Sequence, residues 1–435
     1  MPLVVFIVRF FSKEADFFVR FSNFEGEMVN IGKTISFYEA REMLLEQIET
    51  VEKERVILEQ CSGRILGEDL IAAFNVPPFD RSPYDGYAFR AEDTVDASFE
   101  NPVTLKILEE IPAGGFWHFE VITGYAVKIL TGAPIPAGAD VVVPFEKTEF
   151  TEETVTLFAP TKSGSNIVRT GEDVAAGTVL ARRGTQIDPG LSGTLASQNV
   201  TEPLVFRVPK IGIISTGTEL TALGKELKPG RIYNTNQYML STAVSRIGCE
   251  PVVLGMAGDS AGEICDMIRK GLVFCDMILL TGGVSAGDYD LTPAAMEMAD
   301  IEILYRGVDL KPGMACACGV KNGKLVCGLS GNPAAALTNF YAIVLPVIKK
   351  LCGYRSYIPE EINVVLLDDF KKKSGAVRLL RGSLELKNGA VGIRLPKEQG
   401  NVALSSSIGC NVMAIVPAGS GPQAAGTILK GFLIS

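Results

Sequence analysis

From residue 206 to residue 350, short apolar runs alternate with stretches whose apolar positions recur every three or four residues. The runs Lys210–Ser215, Pro251–Gly255, Met277–Leu280, Glu302–Tyr305 and Lys324–Gly328 read as strands. The stretches around Thr235–Ile247, Ser260–Val273, Thr292–Ala299 and Pro333–Leu345 read as helices. This alternation predicts a doubly wound parallel sheet.

The pattern differs on either side. Ser36 and Glu39 form a capping-box pair, and Tyr38–Leu45 continues at helical spacing. Val56–Leu70 predicts a short strand and a second helix through Gly63–Leu66, before Pro77-Pro78 breaks the pattern. Residues 73–165 read as mostly β, with alternating segments such as Val103–Leu108 and Ala126–Leu130 between Gly and Pro turns. Residues 166–203 carry turns at Gly171, Gly177 and Gly184 and one helix, Pro189–Ser197. That piece is expected to return onto the first helix, which makes the β region an insertion. Residues 354–435 read as short strands and glycine turns, a small β-barrel or open sheet. The expected domains are a helical and β core (34–72 plus 166–205), an inserted β domain (73–165), an α/β domain (206–353) and a C-terminal β domain (354–435). The class is therefore multidomain α+β and α/β, and 435 residues are indeed too many for one core.

Residues 1–33 stand apart: rich in phenylalanine, with Arg9, Lys13, Glu14 and Asp16 interspersed. The apolar run Leu3–Val8 is too short to span a membrane and lacks the basic flank of a signal peptide. The expectation is an upstream start, with Met28 as the true first residue. A net charge of −9 argues against a nucleic-acid binder with a general basic surface, and leaves room for a local basic pocket. The nine cysteines include one close pair, Cys316 and Cys318, which lacks a usual zinc spacing and reads as core thiols. Such usage fits a reducing cytoplasm. The single histidine, His118, sits in a Trp-His-Phe context that reads as packing. Sites needing two histidines are excluded, so the chemistry must rest on carboxylates, lysines and backbone groups.

Acids, hydroxyls and glycines gather after the strands of the α/β region. Met277–Leu280 empties into Thr281, Gly282, Gly283, Val284, Ser285, Ala286, Gly287, Asp288, Tyr289 and Asp290. Thr292-Pro293 then opens a helix, with Thr as cap and Pro in the first turn. Glycines let N–H groups approach an anion, the helix start adds positive potential, and Asp288 and Asp290 can hold a divalent cation beside it. A plain structural turn is the alternative. Ser215–Leu220 places Thr216, Gly217, Thr218 and Glu219 at the crevice end of the first strand. Asp259 follows the second strand, Lys311-Pro312-Gly313 the fourth, and Ser330–Ala334 the last. In that last turn Asn332 caps, Pro333 takes the first helical position, and the amides after Gly331 can meet an anion. Outside this domain, Asp85 in Ser82–Ala88 reads as a metal ligand, a substrate anchor or an Asx turn. Thr131–Pro134 reads as site or hairpin turn, and Arg169–Asp173 as site or solvated loop.

Taken in order, Ser82–Ala88, Thr131–Pro134, Gly171–Asp173, Ser215–Leu220, Ile232–Asn236, Thr281–Asp290, Lys311–Gly313 and Gly331–Pro333 resemble the molybdopterin molybdenumtransferase (MoeA) family, which includes the C-terminal part of gephyrin. The resemblance covers about residues 34–435. It implies four domains and a homodimer whose active cleft joins the α/β domain of one subunit to the inserted domain of the other. Asp85, Thr131 and Asp173 would then face that cleft. The implied substrates are adenylylated molybdopterin and molybdate: Mg²⁺ helps cleave the pyrophosphate link, AMP leaves and molybdenum joins the dithiolene. A molybdopterin adenylyltransferase and molybdoenzyme-delivery proteins are the implied further partners. Asp85, Glu219, Asp259, Asp290 and Lys311 are the expected catalytic residues, with Asp85, Glu219 and Asp290 as metal ligands. Thr131, Asp173, Thr216, Gly217, Thr218, Gly282, Gly283, Ser285, Gly331 and Asn332 are the expected binding residues, and Ser285 and Lys311 the expected molybdate contacts. A family arginine corresponds to Arg378 or Arg381.

The chain also departs from the family. Lys-Pro-Gly-Lys-Pro becomes Lys311-Pro312-Gly313-Met314-Ala315, and Leu-Pro-Gly-Asn-Pro-Val-Ser carries Ser330 for its first Pro and Ala335 for its Ser. Gln399-Gly400-Asn401-Val402 lacks a family serine. These changes fall where the family binds oxyanion and leave open tungstate as substrate, weaker molybdate affinity, or a non-catalytic pterin-binding or scaffold role.

Overall fold

The computed structural model describes residues 35–284, 291–387 and 390–434. The N-terminal segment 1–33 and the loop 285–290, with Ser285, Asp288 and Asp290, lie outside them. The chain divides into two compact units. One is Arg55–Val205; the other takes in the described part of Met1–Glu54 together with Phe206–Ser435.

The first helix, α1 (Phe37–Glu46), starts on the capping box foreseen from sequence. The Ser36 hydroxyl accepts from the Glu39 N–H, and the Glu39 carboxylate accepts from the Ser36 N–H. Its buried face of Phe37, Ala40, Arg41, Leu44 and Leu45 belongs to the larger unit. It packs against the last helix of the α/β domain and the π-turn before it. The return of 178–205 is instead onto 56–72: Leu70–Ile71 pairs with Val179–Ala181, and Leu66 bridges Val205. The helix expected through Gly63–Leu66 does not form. A 3₁₀ turn at Leu58–Gln60 and isolated bridges at Ile65 and Leu66 replace it, because Leu66, Ile187, Leu195 and Val205 bury more apolar surface together than a short helix could.

In the Arg55–Val205 unit, one sheet runs in the order Val141–Pro144, Gly86–Phe89, Tyr125–Ile129, Val103–Ile111, Thr154–Leu157, Thr148–Phe150. Both faces of its centre are buried. Tyr87, Phe89, Ala126, Val141 and Val143 fill one core, while Ala88, Val127, Ile129 and Val142 fill the other. Adjacent strand residues point to opposite faces, so a sheet covered on both sides needs continuous apolar runs. The helix α2 (Pro189–Ser197), capped by Asp188, closes the unit. His118 is exposed, its ring against Phe116; the packing expected of it is supplied by its neighbour Trp117.

In the larger unit, the α/β sheet has the order Glu250–Ala257, Lys210–Thr216, Met277–Thr281, Lys324–Leu329, Ala317–Lys321, Glu302–Arg306. The first four strands are parallel, as expected. Ala317–Lys321 is an additional strand, antiparallel to both its neighbours. Glu302–Arg306 therefore runs with the parallel strands yet does not touch them. Sequence reasoning missed the added strand because Cys318 and Gly319 carry little β propensity; its partners hold it. The helices are α3 (Thr235–Arg246), α4 (Ala261–Phe274), α5 (Leu291–Met298), α6 (Pro333–Asn339) and α7 (Leu345–Leu351). A π-turn, Phe340–Val344, joins the last two. Pro333–Leu351 is the one stretch of the described residues long and apolar enough to cross a membrane, and it is core: 83% of it is buried.

The C-terminal strands Val377–Lys387, Ala390–Arg394, Glu361–Leu366, Ile428–Leu433 and Val412–Val416 close on themselves through a Val377–Lys387 to Val412–Val416 pairing. The result is a five-stranded barrel around Val364, Leu380, Ile393 and Ala414.

Candidate functional site

Three glycine loops meet at the carboxyl ends of the parallel strands. Thr216 ends the first strand, 7% exposed, and its hydroxyl donates to the Thr281 carbonyl at 3.2 Å. Gly282 lies directly against it. At φ +102° a Cβ there would sit 2.6 Å from both the carbonyl oxygen and the Oγ1 of Thr216. On its other side, the Gly282 Cα lies 3.5 Å from where Gly331 would carry a Cβ. Gly283, at φ +61°, passes its carbonyl to the Thr292 N–H at 3.0 Å, and the Thr292 hydroxyl donates to the Gly282 carbonyl at 2.9 Å. Thr292 is therefore not the cap expected of it. The helix begins one residue earlier, and Thr292 ties the loop shut from inside. The contacts give a test. Gly282→Ala is expected to lower stability by about 2–4 kcal/mol. Gly331→Ala, with its nearest contact at van der Waals distance, should stay within about 0.5 kcal/mol. Equal urea midpoints for the two would contradict this packing.

The acids stand beside these loops. The Thr218 hydroxyl donates to Asp259 Oδ2 at 2.6 Å, joining the loops after the first and second strands. The Glu219 carboxylate folds back over Gly217, whose φ of +139° and missing side chain leave room for it. Glu263, which sequence reasoning did not single out, accepts from the Gly258 N–H at 3.0 Å and fixes the turn before Asp259. Asn234 caps α3 and accepts from the buried Ser215 hydroxyl at 3.1 Å. Asn236 donates to the Gly331 carbonyl at 2.9 Å. Asn332 occupies the cap position of α6 as expected, but its side chain makes no capping bond. Instead the Ser330 hydroxyl accepts from the Asn332 N–H at 3.2 Å. An apolar groove of about 500 Å³ adjoins this end of the domain, between Leu223, Asn234, Tyr238, Arg246, Tyr341 and Leu404.

In the smaller unit, Asp85 and Thr131 form one device. Asp85 Oδ1 accepts from the Thr131 N–H at 2.6 Å and from its hydroxyl at 2.7 Å. This excludes the Asx turn: the partner is 46 residues away. The two bonds hold the exposed Asp85 carboxyl below the usual carboxylate range, so it stays ionised with Oδ2 open. Asp80 plays the same part for the next loop. It accepts from the N–H and hydroxyl of Thr170 and from Arg169, which positions the turn before the exposed Asp173. Asp80 was not among the residues expected from sequence. Its partner is far along the chain, so no local pattern marks it.

Lys311 follows the Glu302–Arg306 strand, where the sequence reading puts it. Leu310–Lys311 leaves the α/β sheet and pairs with the barrel strand, with Lys311 beside Arg378. Arg378 lies over the Phe370 ring and donates to the Ser374 hydroxyl at 3.3 Å. Arg381, three residues on, is turned to the opposite face and is 0% exposed. It donates to the Ser406 hydroxyl at 2.9 Å and the Gly400 carbonyl at 3.3 Å, while Gln399 clasps its backbone from both sides. Its Nε and Nη1 have no partner among the described residues, and the neighbours named for it include no carboxylate. Burial pushes the guanidinium down from its ordinary value, yet arginine does not give up its proton in proteins. A guanidinium with unused N–H groups is a donor pair of the kind that oxyanions accept from. The two arginines left open by sequence thus differ in their surroundings: Arg378 is engaged by Phe370 and Ser374, and Arg381 keeps two donors without a partner among the described residues.

Of the altered positions, Met314 is exposed, Ser330 and Ala335 are buried, and Ala315 is half-buried. Cys316 and Cys318 are buried core thiols, and burial pushes the Cys316 thiol well up.

The chain matches the family model of the MoeA N-terminal region (domain I and II) over residues 35–198, and that of a probable molybdopterin binding domain over 212–350. A molybdopterin molybdenumtransferase of Staphylococcus epidermidis is 33% identical over 395 residues, spanning 91% of this chain and 94% of the relative. One of Staphylococcus aureus is 33% identical over 382 residues, or 88% and 91%. Two crystal structures of the Pyrococcus horikoshii MoeA protein superpose with TM-scores of 0.80 and 0.79 at 30% and 32% identity. They cover 93% and 92% of this chain and all of theirs. Fold and loops together define a multidomain protein built on a molybdopterin-binding α/β domain. The chain belongs to the molybdopterin molybdenumtransferase (MoeA) family.

Proposed function

We propose that this protein transfers molybdenum from molybdate to adenylylated molybdopterin and releases AMP, the last step in assembling the molybdenum cofactor. The observation that carries the reading is the convergence of the Gly217, Gly282–Gly283 and Gly331 loops around Thr216, within the matched molybdopterin-binding domain. Backbone N–H groups at such loops hold phosphate oxygens. Thr216, Thr218 and Asn332 supply further hydrogen bonds, and Lys311 and Arg381 supply the cations for the oxyanion.

Magnesium is the resident cofactor we infer. The described donors at these loops, Glu219, Asp259 and the Thr218 hydroxyl, are hard oxygens. Among the described residues no three acids, cysteines or histidines cluster, which suits an ion that keeps waters and leans on substrate phosphates. Bound there, it would neutralise charge on the pyrophosphate link. Asp85 is the remaining acid we place in the reaction, and with Glu219 and Asp290 we keep it as a cation ligand. The active form we infer is a homodimer in which the inserted domain of one copy meets the α/β domain of another. The chain would work in the cytoplasm, receiving its substrate from a molybdopterin adenylyltransferase and passing its product to molybdoenzyme-delivery proteins.

The test is AMP release from adenylylated molybdopterin by purified protein with Mg²⁺ and either molybdate or tungstate. Release that depends on one oxyanion is expected and names the metal. Binding without release under both would overturn the transferase reading and leave a pterin-binding protein.

A further inference from the structure

Asn339 is the last residue of α6, immediately before the π-turn, and is 1% exposed. Neither its Oδ1 nor its Nδ2 has a hydrogen-bond partner among the described residues. Its neighbours along the chain Ala336, Phe340 and Ile343 are buried as well. A side-chain amide left this way costs stability at both atoms, and folded proteins keep few of them. A π-turn widens the helix at that point, and such turns gather at functional sites.

The amide faces one segment in particular. Gly313 lies so close that a Cβ there would collide with Asn339 Oδ1 and come within 3.3 Å of Nδ2. Gly313 holds φ at +115°, so only glycine fits both the backbone and the contact. The segment is Lys311–Met314, which carries the one lysine retained from the family's oxyanion motif. At Gly313 that loop abuts an amide that offers two donors and one acceptor.

We propose that Asn339 is a positioning residue for the Lys311–Met314 loop: its amide engages the loop backbone when the oxyanion is bound and so sets where the Lys311 ammonium stands. The inference rests on the molybdenum-transfer reading above. It gives a use to a buried amide that has no partner among the described residues. It also places a neutral hydrogen-bonding group behind a loop that has exchanged a second lysine for Met314.

The test uses the full chain with Asn339→Leu, which keeps the side chain's size and removes its polar atoms, and Asn339→Ala, which cannot clash. Asn339→Leu is expected to melt about 2–4 °C higher than wild type, because two unsatisfied atoms are gone. In AMP release both variants should need about tenfold more molybdate for half-maximal rate. The KM for adenylylated molybdopterin should stay unchanged in both. A purely structural asparagine would move the melting temperature and leave the molybdate KM alone, and that result in both variants overturns the assignment. If Asn339→Leu does not fold, the molybdate KM of Asn339→Ala decides. A wild-type chain that releases no AMP with either oxyanion sinks the functional reading and this inference with it. An active wild type with unaltered variants sinks this inference alone.

Discussion

Arg381→Met raises the molybdate concentration for half-maximal AMP release by about a hundredfold and does not weaken the fold. The first half follows from the empty donors. A guanidinium whose Nε and Nη1 have no partner gives an oxyanion charge-assisted bonds, each worth about 1.5–3 kcal/mol. The second half follows from burial. The side chain is 0% exposed, with no carboxylate among its named neighbours, so its charge costs the fold stability. Methionine fills similar space without it. The measurement pairs a molybdate titration with thermal melts. Wild type should melt higher as molybdate is added, whereas Arg381→Met should melt at one temperature throughout. A variant that loses stability but keeps its molybdate response would show Arg381 to be scaffold. Arg378→Met is the control: its guanidinium is already engaged by Phe370 and Ser374, and its loss should leave the molybdate titration within about twofold.

The second large effect is complementation. Asp85→Asn and Glu219→Gln should each slow turnover about a hundredfold or more, since the proposed function assigns both acids to the reacting phosphates or their cation. Asp85 keeps its Thr131 bonds through the amide oxygen, so its loss is one of charge and not of fold. When the two variants are co-expressed, half of the dimers pair one with the other. If each cleft draws Asp85 from one copy and Glu219 from its partner, one cleft of every mixed dimer is intact. Activity should then return to about a quarter of wild type. No recovery, with mixed dimers present by mass, would rule out the shared cleft. Low pH provides a further check. The Asp85 carboxyl is held below its ordinary value by Thr131, so its contribution is present above the usual carboxylate range and is lost only as pH falls through that lowered value.

Local pattern carried much of this molecule. The capping box at Ser36 and Glu39, the Pro189–Ser197 helix and the four parallel strands follow from side-chain spacing and chain-end chemistry, which are short-range properties. The glycine loops were legible for the same reason: a strand, a glycine turn and a helix are consecutive in the chain. So was the family, because its motifs are ordered along the sequence.

What required the tertiary structure was every choice between equivalent residues and every partner far along the chain. Asp85 was ambiguous between ligand, anchor and turn until Thr131, 46 residues on, closed on it. Arg378 and Arg381 are alike in sequence; strand alternation gives one an aromatic ring and buries the other with donors empty. The Ala317–Lys321 strand exists because its neighbours pair with it, not because its own residues favour extension. That α1 lies on α7 was likewise not legible, since an amphipathic face specifies that it must be covered and not by what. Sequence thus determined most of the helices and strands and the order of the family's motifs. Long-range packing, which no local spacing encodes, decided which side chains are neutralised, which are left unpaired, and so which are poised for substrate.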